Sequence, residues 1–310
     1  MNTKLVCSLL ALAGLMAMAA EKTPVPSGEI KPPDAAWKKG VAELAPDKPR
    51  VAPKQPRKVL VFSLATGFCH KVIPHVKVVF DQLTTTGAFE VTHSDDISAF
   101  GPESLKKFDA IVLNNTCTKQ PARNMFIDAL SLRKDLSKEE IGKQAVKFEQ
   151  DLKDFVAGGK GLMLVHGAIV FLNESEDFSK MVGGSFVMHP KMQEITLTPV
   201  EPGHPLVAAF KGEPFIHHDE PYLFAKAYAD KNFRPLLEMD VEKLDEASKK
   251  KMEGDRRFVS WIRRHGKGRV FYCSPSHQPE SYQSSRMLQY YLDGMQYVLG
   301  DLEVDDSVVK

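Results

Sequence analysis

The chain has 310 residues, 43% of them hydrophobic and 26% charged, with a net charge of +1, which is the composition of a soluble globular protein with ample material for a core. Charges of both signs are interspersed along it. That balance gives no electrostatic claim on nucleic acid or on an anionic membrane surface, so neither is expected as a partner.

Residues 1–20 are of another kind. Lys4 precedes an apolar run from Leu5 to Met18, and Ala17, Met18 and Ala19 match a small-x-small cleavage site, so we read a cleavable signal peptide and a secreted or periplasmic mature protein. The run is short and abruptly ended for a membrane span, and no transmembrane helix is expected in the mature chain; an uncleaved anchor is the lesser reading. Cys7 falls inside this leader, leaving Cys69, Cys117 and Cys273, whose spacing resembles neither a disulfide framework nor a CxxC site. Cys117 and Cys273 read as small buried residues. Residues 21–56 carry Pro24, Pro26, Pro32, Pro33, Pro46, Pro49, Pro53 and Pro56 among charges, a composition expected to hold neither helix nor sheet, as in a linker or extended arm.

From residue 57 the texture changes. Lys58 to Ser63 reads as a strand, Ala65 to His70 as a loop, and Ile73 to Leu83 as a helix with Val76, Val79, Phe80 and Leu83 on one face. Strands follow at Phe89 to Thr92 and Phe108 to Leu113, with a helical turn near Pro102 to Lys106. Such alternation argues for an α/β fold with a parallel sheet. The polar stretch Asn114 to Gln144 is longer than an ordinary connection and reads as an insertion over the cleft, with one helix about Arg123 to Leu132. Phe148, Leu152, Phe155 and Val156 keep helical spacing until Gly158 and Gly159 stop the helix.

Leu162, Met163, Leu164 and Val165 then run without alternation between Gly161 and His166, which predicts a strand covered on both faces at the centre of the sheet. In such sheets ligands bind beyond the carboxyl ends of the strands, where His166 stands. A helix near Asp177 to Val182 follows, then strands over Gln193 to Val200, Glu220 to Phe224, Arg234 to Met239, Phe258 to Arg263 and Gly268 to Cys273, some of them antiparallel. The last of these is aimed at His277. A helix from Ser285 to Leu299 and an acidic tail, 300–310, close the chain, and no second domain boundary interrupts 57–299.

Five polar positions fall at strand ends or in loops that enter the cleft: His70, His166, His189, the pair Asp219 and Glu220, and His277. Any one histidine alone is more simply structural; their convergence is the functional hypothesis. His75, His93, His204, His217, His218 and His265 are weaker candidates. Imidazoles with one carboxylate hold a divalent transition metal such as zinc, or do acid and base work without one, and the spacing leaves both open because no HxH or HExxH pair is present. Ala65, Thr66 and Gly67 lack the glycine pattern of a phosphate loop, so no nucleotide cofactor is expected, and there is no GxSxG elbow. Class I glutamine amidotransferases place a nucleophilic cysteine at the turn after the central strand; here that position is His166, which rules out amidotransfer through a thioester.

Phe62 to His70, Val165 to Ala168, Gly183 to Phe186 leading to His189 and Pro190, Gly203 to Pro205, Asp219 to Tyr222, and Gly268 to Tyr272 leading to His277 together resemble the ThuA-like family, named for trehalose utilisation. The resemblance implies a flavodoxin-like, class I glutamine amidotransferase-like three-layer sandwich with a mainly parallel central sheet. It also implies a role in carbohydrate metabolism, a small-molecule carbohydrate partner of the 3-keto-sugar class, and a bound divalent metal. Cys69 stands where a basic residue is more usual, Gly167 where alanine is common, and the insertion after Asn114 is long. The site expected is then His166, His277 and Glu220 as catalytic residues, with His70, His189, Asp219 and Tyr222 around the substrate; His166, His189, Glu220 and His277 are the candidate metal ligands. The leading expectation is proton abstraction next to the carbonyl of a keto-sugar or its glycoside. The alternatives are a non-catalytic periplasmic sugar-binding or accessory protein and a metal-dependent glycoside hydrolase.

Overall fold

A computed structural model describes residues 30–252 and 257–309. The signal peptide expected at 1–20 and the first residues of the expected arm lie outside the described residues. In chain order the strands are β1 (Lys58–Phe62), β2 (Glu90–Ser94), β3 (Ala110–Asn114), β4 (Gly161–Val165), β5 (Ser185–Met188) and β6 (Gln193–Pro199). They continue with β7 (Phe215–Asp219), β8 (Leu223–Ala225), β9 (Arg234–Met239), β10 (Phe258–His265) and β11 (Gly268–Cys273). One sheet has the order β2-β1-β3-β4-β11-β10-β9-β6-β7, while β5 and β8 pair apart from it. From β2 to β11 the neighbours are parallel; from β11 through β10, β9 and β6 to β7 they are antiparallel.

Helices cover both faces. They are α1 (Ala35–Leu44), α2 (Ile73–Thr84), α3 (Pro102–Leu105), α4 (Met125–Leu130), α5 (Lys138–Ala157), α6 (Glu176–Val182), α7 (Glu246–Lys249) and α8 (Ser285–Val298). The period of two along β4 divides its side chains between two cores. Met163 and Val165 pack with Val76, Phe80, Met287 and Tyr291 of α2 and α8, while Leu162 and Leu164 pack with Leu152, Val156, Phe178 and Met181 of α5 and α6. This is the three-layer sandwich expected, and the unbroken apolar run of β4 has the cause assigned to it. The carboxyl ends of β1, β3, β4 and β11 lie side by side, so the loops that leave them share one edge of the sheet.

The structure corrects two expectations and adds contacts to the acidic tail. Residues 30–56 are not a free linker: Pro32, Pro33, Pro46 and Pro49 flank a proline-free stretch, Ala35 to Leu44, which forms α1 with Trp37 and Val41 buried one turn apart. Asp34 caps it by accepting from the Trp37 amide at 2.7 Å. Further along, Arg50 pairs with the buried Asp293 at 2.6 Å and Arg57 with Asp301 at 2.6 Å, so this segment is strapped to α8 and the residues after it. The long insertion is half helix, because Ser137 and Glu140 make a reciprocal capping box that starts α5 within the charged run. The acidic tail is also held, by Asp305 to Arg234 at 2.7 Å and by Asp306 to Arg264. Among the described residues no helix is long and apolar enough to cross a membrane.

Candidate functional site

The site grows from the end of β4. His166 is fully buried and takes φ +46°, a left-handed backbone that a β-carbon normally resists and that turns the ring over the edge of the sheet. Its Nδ1–H donates to the Ser274 carbonyl just past β11 at 2.6 Å, which fixes the tautomer and leaves a lone pair on Nε2. His277 arrives from the same segment through Ser276, whose φ is +130°. The amides of Ser276 and His277 both donate to Asp219 Oδ2, at 2.7 and 3.2 Å. Glu220, one residue past β7, points the other way into the cleft.

Three donor atoms meet there. His166 Nε2 lies 3.2 Å from His277 Nδ1 and 3.4 Å from Glu220 Oε2, and His277 Nδ1 lies 3.1 Å from the same oxygen. A tetrahedral metal bound at about 2.0–2.1 Å holds its N and O donors about 3.3 Å apart, so this triangle has the size of a coordination face. With His70 added, ligand atoms of all four residues lie within 4.8 Å of one another. Burial, then the nearby His166 and His277, pull the His70 pKa well below its usual value, so its ring is neutral at pH 7 and free to ligate. Burial alone would raise the Glu220 pKa, but the adjacent His166 and His277 rings outweigh it and hold the carboxyl well below the ordinary range. A nitrogen-rich set with one carboxylate, its second nitrogen already tied to a carbonyl at His166, fits a divalent transition metal.

A cavity of about 580 Å³, within the range of small-molecule sites, is lined by His70 and Glu220 of this set. Phe68 and His70 come from the loop after β1, Cys117, Lys119 and Arg123 from the loop after β3, and Phe186 from β5. Tyr222 forms the wall behind them: its ring centroid is 4.4 Å from that of His166, and it stacks on His189 at 5.6 Å. His189 is 38% exposed at its side chain. Its Nδ1–H donates to the Pro190 carbonyl at 2.9 Å, which leaves Nε2 as an acceptor 3.6 Å from the other Glu220 oxygen, Oε1.

The family model ThuA, described as trehalose utilisation, matches residues 58–298. The chain belongs to the ThuA family. A ThuA-like protein from Bacteroides uniformis is similar at TM-score 0.58 and 16% identity, covering 79% of this chain and 92% of that one. A second ThuA-like protein, from Parabacteroides merdae, gives 0.55 and 17% over 83% and 94%. A cytoplasmic protein of Salmonella typhimurium gives 0.50 and 10% over 78% and 98%. These likenesses show a shared fold. No curated relative matches the chain at a significant level.

In this ThuA-family chain, four of the expected residues converge: His70, His166, Glu220 and His277. His189, expected among the metal candidates, stands beside the donor set and not within it. Asp219, expected around the substrate, does not line this cavity. It is 1% exposed, and its oxygens are occupied by the amides of Glu220, Ser276 and His277. Of the weaker histidines only His217 approaches, 3.5 Å from Asp219; His75 packs on Trp37 and His93 pairs with Asp81. Lys119 and Arg123 were not among the expected site residues, and Phe186 entered only within the motif Gly183 to Phe186. The strand-end rule that marked His166 applies equally to the loop after β3, and would have found the first two.

Proposed function

We propose that this protein is an exported carbohydrate enzyme that removes a proton from the carbon next to the carbonyl of a keto-sugar or its glycoside, assisted by a divalent transition metal on His70, His166, Glu220 and His277. The observation that carries this reading is the juxtaposition of that donor set with His189, an imidazole whose tautomer is already set and whose free Nε2 faces the cleft. When bound, such a metal supplies a Lewis acid that polarises a carbonyl oxygen. His189 accepts the carbon-bound proton at Nε2. The imidazolium so formed lies against the ionised Glu220 and stacks on Tyr222, which stabilise its charge. Phe68 and Phe186 present apolar faces to the C–H faces of a sugar ring and exclude water.

The test is proton exchange in deuterated solvent, followed by NMR on a 3-keto-glucoside. Deuterium is expected at the carbons flanking the carbonyl, and His189→Gln is expected to slow exchange by about 10²–10⁴-fold with substrate binding retained. Saturable binding by the wild type with no exchange would replace this reading with a non-catalytic binder. Cleavage of the glycoside without exchange would replace it with a hydrolase.

Gly167 gives an independent check on His70. A β-carbon there would lie 2.6 Å from His70 Cε1 and 2.7 Å from Cys117 Sγ, two side chains confined in the buried floor. Gly167→Ala is therefore expected to push His70 off its position and weaken metal affinity by about 10–100-fold. Titration of the metal-free protein with zinc measures this, and an unchanged affinity would remove His70 from the ligand set.

A further inference from the structure

The loop after β3 places two cations at the cleft without giving them an anion. Lys119 and Arg123 both line the cavity, and among the described residues neither makes an ion pair. Arg123 is fixed where it stands. Its backbone takes φ +42°, its amide donates to the Lys119 carbonyl at 2.8 Å, and its carbonyl accepts from Asn173 at 3.0 Å. The guanidinium lies over the Phe186 ring, 5.4 Å from the centroid, on the cavity wall, and its field reaches the buried Cys117 thiol on the floor.

The nearby acids are committed elsewhere. Asp128 of α4 accepts from the Thr66 hydroxyl at 2.5 Å and the Lys119 amide at 2.9 Å through one oxygen. Glu174 is bound by the Asn173 side-chain amide at 3.2 Å and by Lys226 at 3.4 Å; Arg123 acts on it only through its field, more weakly than these and without an ion pair. Glu220, the carboxylate inside the cleft, faces the histidines. A planar guanidinium held on an apolar ring, with its edge open to a cavity and a lysine beside it, matches a carboxylate or phosphate group.

Resting on the reading of this cleft as a sugar site, we infer that its ligand is an anionic sugar, whose carboxylate or phosphate is taken by Arg123 and Lys119. The donor set at His166 and His277 is left to the reacting carbonyl. The loop after β3 thus sets specificity, and the strand-end histidines set chemistry.

Calorimetry with D-glucuronate, D-glucose 6-phosphate, D-glucose and inorganic phosphate as probes tests this on the mature protein. One of the two anionic sugars is expected to bind at least about ten-fold tighter than glucose, the fold-change of one charge-assisted hydrogen bond, and which one it is identifies the anion. Arg123→Gln, Lys119→Gln and the double variant should lower that preference ratio stepwise, and added salt should lower it too. Equal affinity for charged and neutral sugars, no binding of any probe, or a preference that survives the double variant would overturn the inference. So would an anion preference lost only in His277→Ala, because the anion would then sit on the metal ligands. If inorganic phosphate binds in an Arg123-dependent way while no sugar does, the anion subsite stands and the sugar reading of the cleft falls.

Discussion

His277→Ala is expected to abolish turnover and metal retention together while leaving the fold intact. The two effects are coupled because His277 Nδ1 touches both other members of the donor triangle, at 3.2 Å from His166 Nε2 and 3.1 Å from Glu220 Oε2. Loss of a partner that merely orients a ligand weakens metal binding about 10–100-fold, so loss of the ligand itself should cost at least about 100-fold. His277 is a cleaner probe than His166, which is fully buried and holds a left-handed turn, since the His277 side chain keeps 14% exposure and its removal opens no core cavity. Elemental analysis of protein purified without chelator should find about one transition metal per wild-type chain and almost none in the variant, with matching circular dichroism. A wild-type chain that takes up no metal from any of several candidate ions would return the site to metal-free acid and base chemistry. A variant that keeps its metal would sink the assignment of His277.

The parts of this architecture that were legible in the sequence are those where one physical cause dominates. β1, β3, β4 and β11 are buried on both faces, so they appear as continuous apolar runs, and the rule that ligands gather at their carboxyl ends led to His166 and His277. β7 was not recognised because it is the edge strand of the sheet, with Ile216 and His218 exposed, and its sequence Phe215 to Asp219 carries little apolar signal. α1 was hidden by its surroundings: the prolines on either side suggested disorder, although the ten residues between them form a capped helix. The pair Asp219 and Glu220 shows a deeper limit. Successive side chains of an extended chain point to opposite sides, so two adjacent carboxylates cannot both face one cleft, and sequence does not say which does. The strand-end rule points to the loop that carries Lys119 and Arg123, but nothing in a charged loop distinguishes an unpaired cation from a paired one.

That division of labour sets the second large effect, at Asp219. Its carboxylate is buried and organises the chain that delivers His277: Oδ2 accepts from the amides of Ser276 at 2.7 Å and His277 at 3.2 Å, and Oδ1 from Glu220 at 2.7 Å. Asp219→Ala would strand these amides out of reach of water, at about 1–3 kcal/mol for each buried donor left without a partner. It would also release Ser276 from its positive φ, a conformation that persists only while its surroundings impose it. Together these give an expected loss of about 3–5 kcal/mol, which for a domain of this size corresponds to a fall of roughly 6–20 °C in melting temperature. Asp219→Asn, which keeps one acceptor oxygen, should be milder in stability yet still displace His277 and weaken metal binding. Paired calorimetric melts and zinc titrations separate the two effects. A shift below about 2 °C in Asp219→Ala, with zinc affinity unchanged, would mean that the strand-end turn holds its shape without the carboxylate, and that His166 and Ser274 alone position the site.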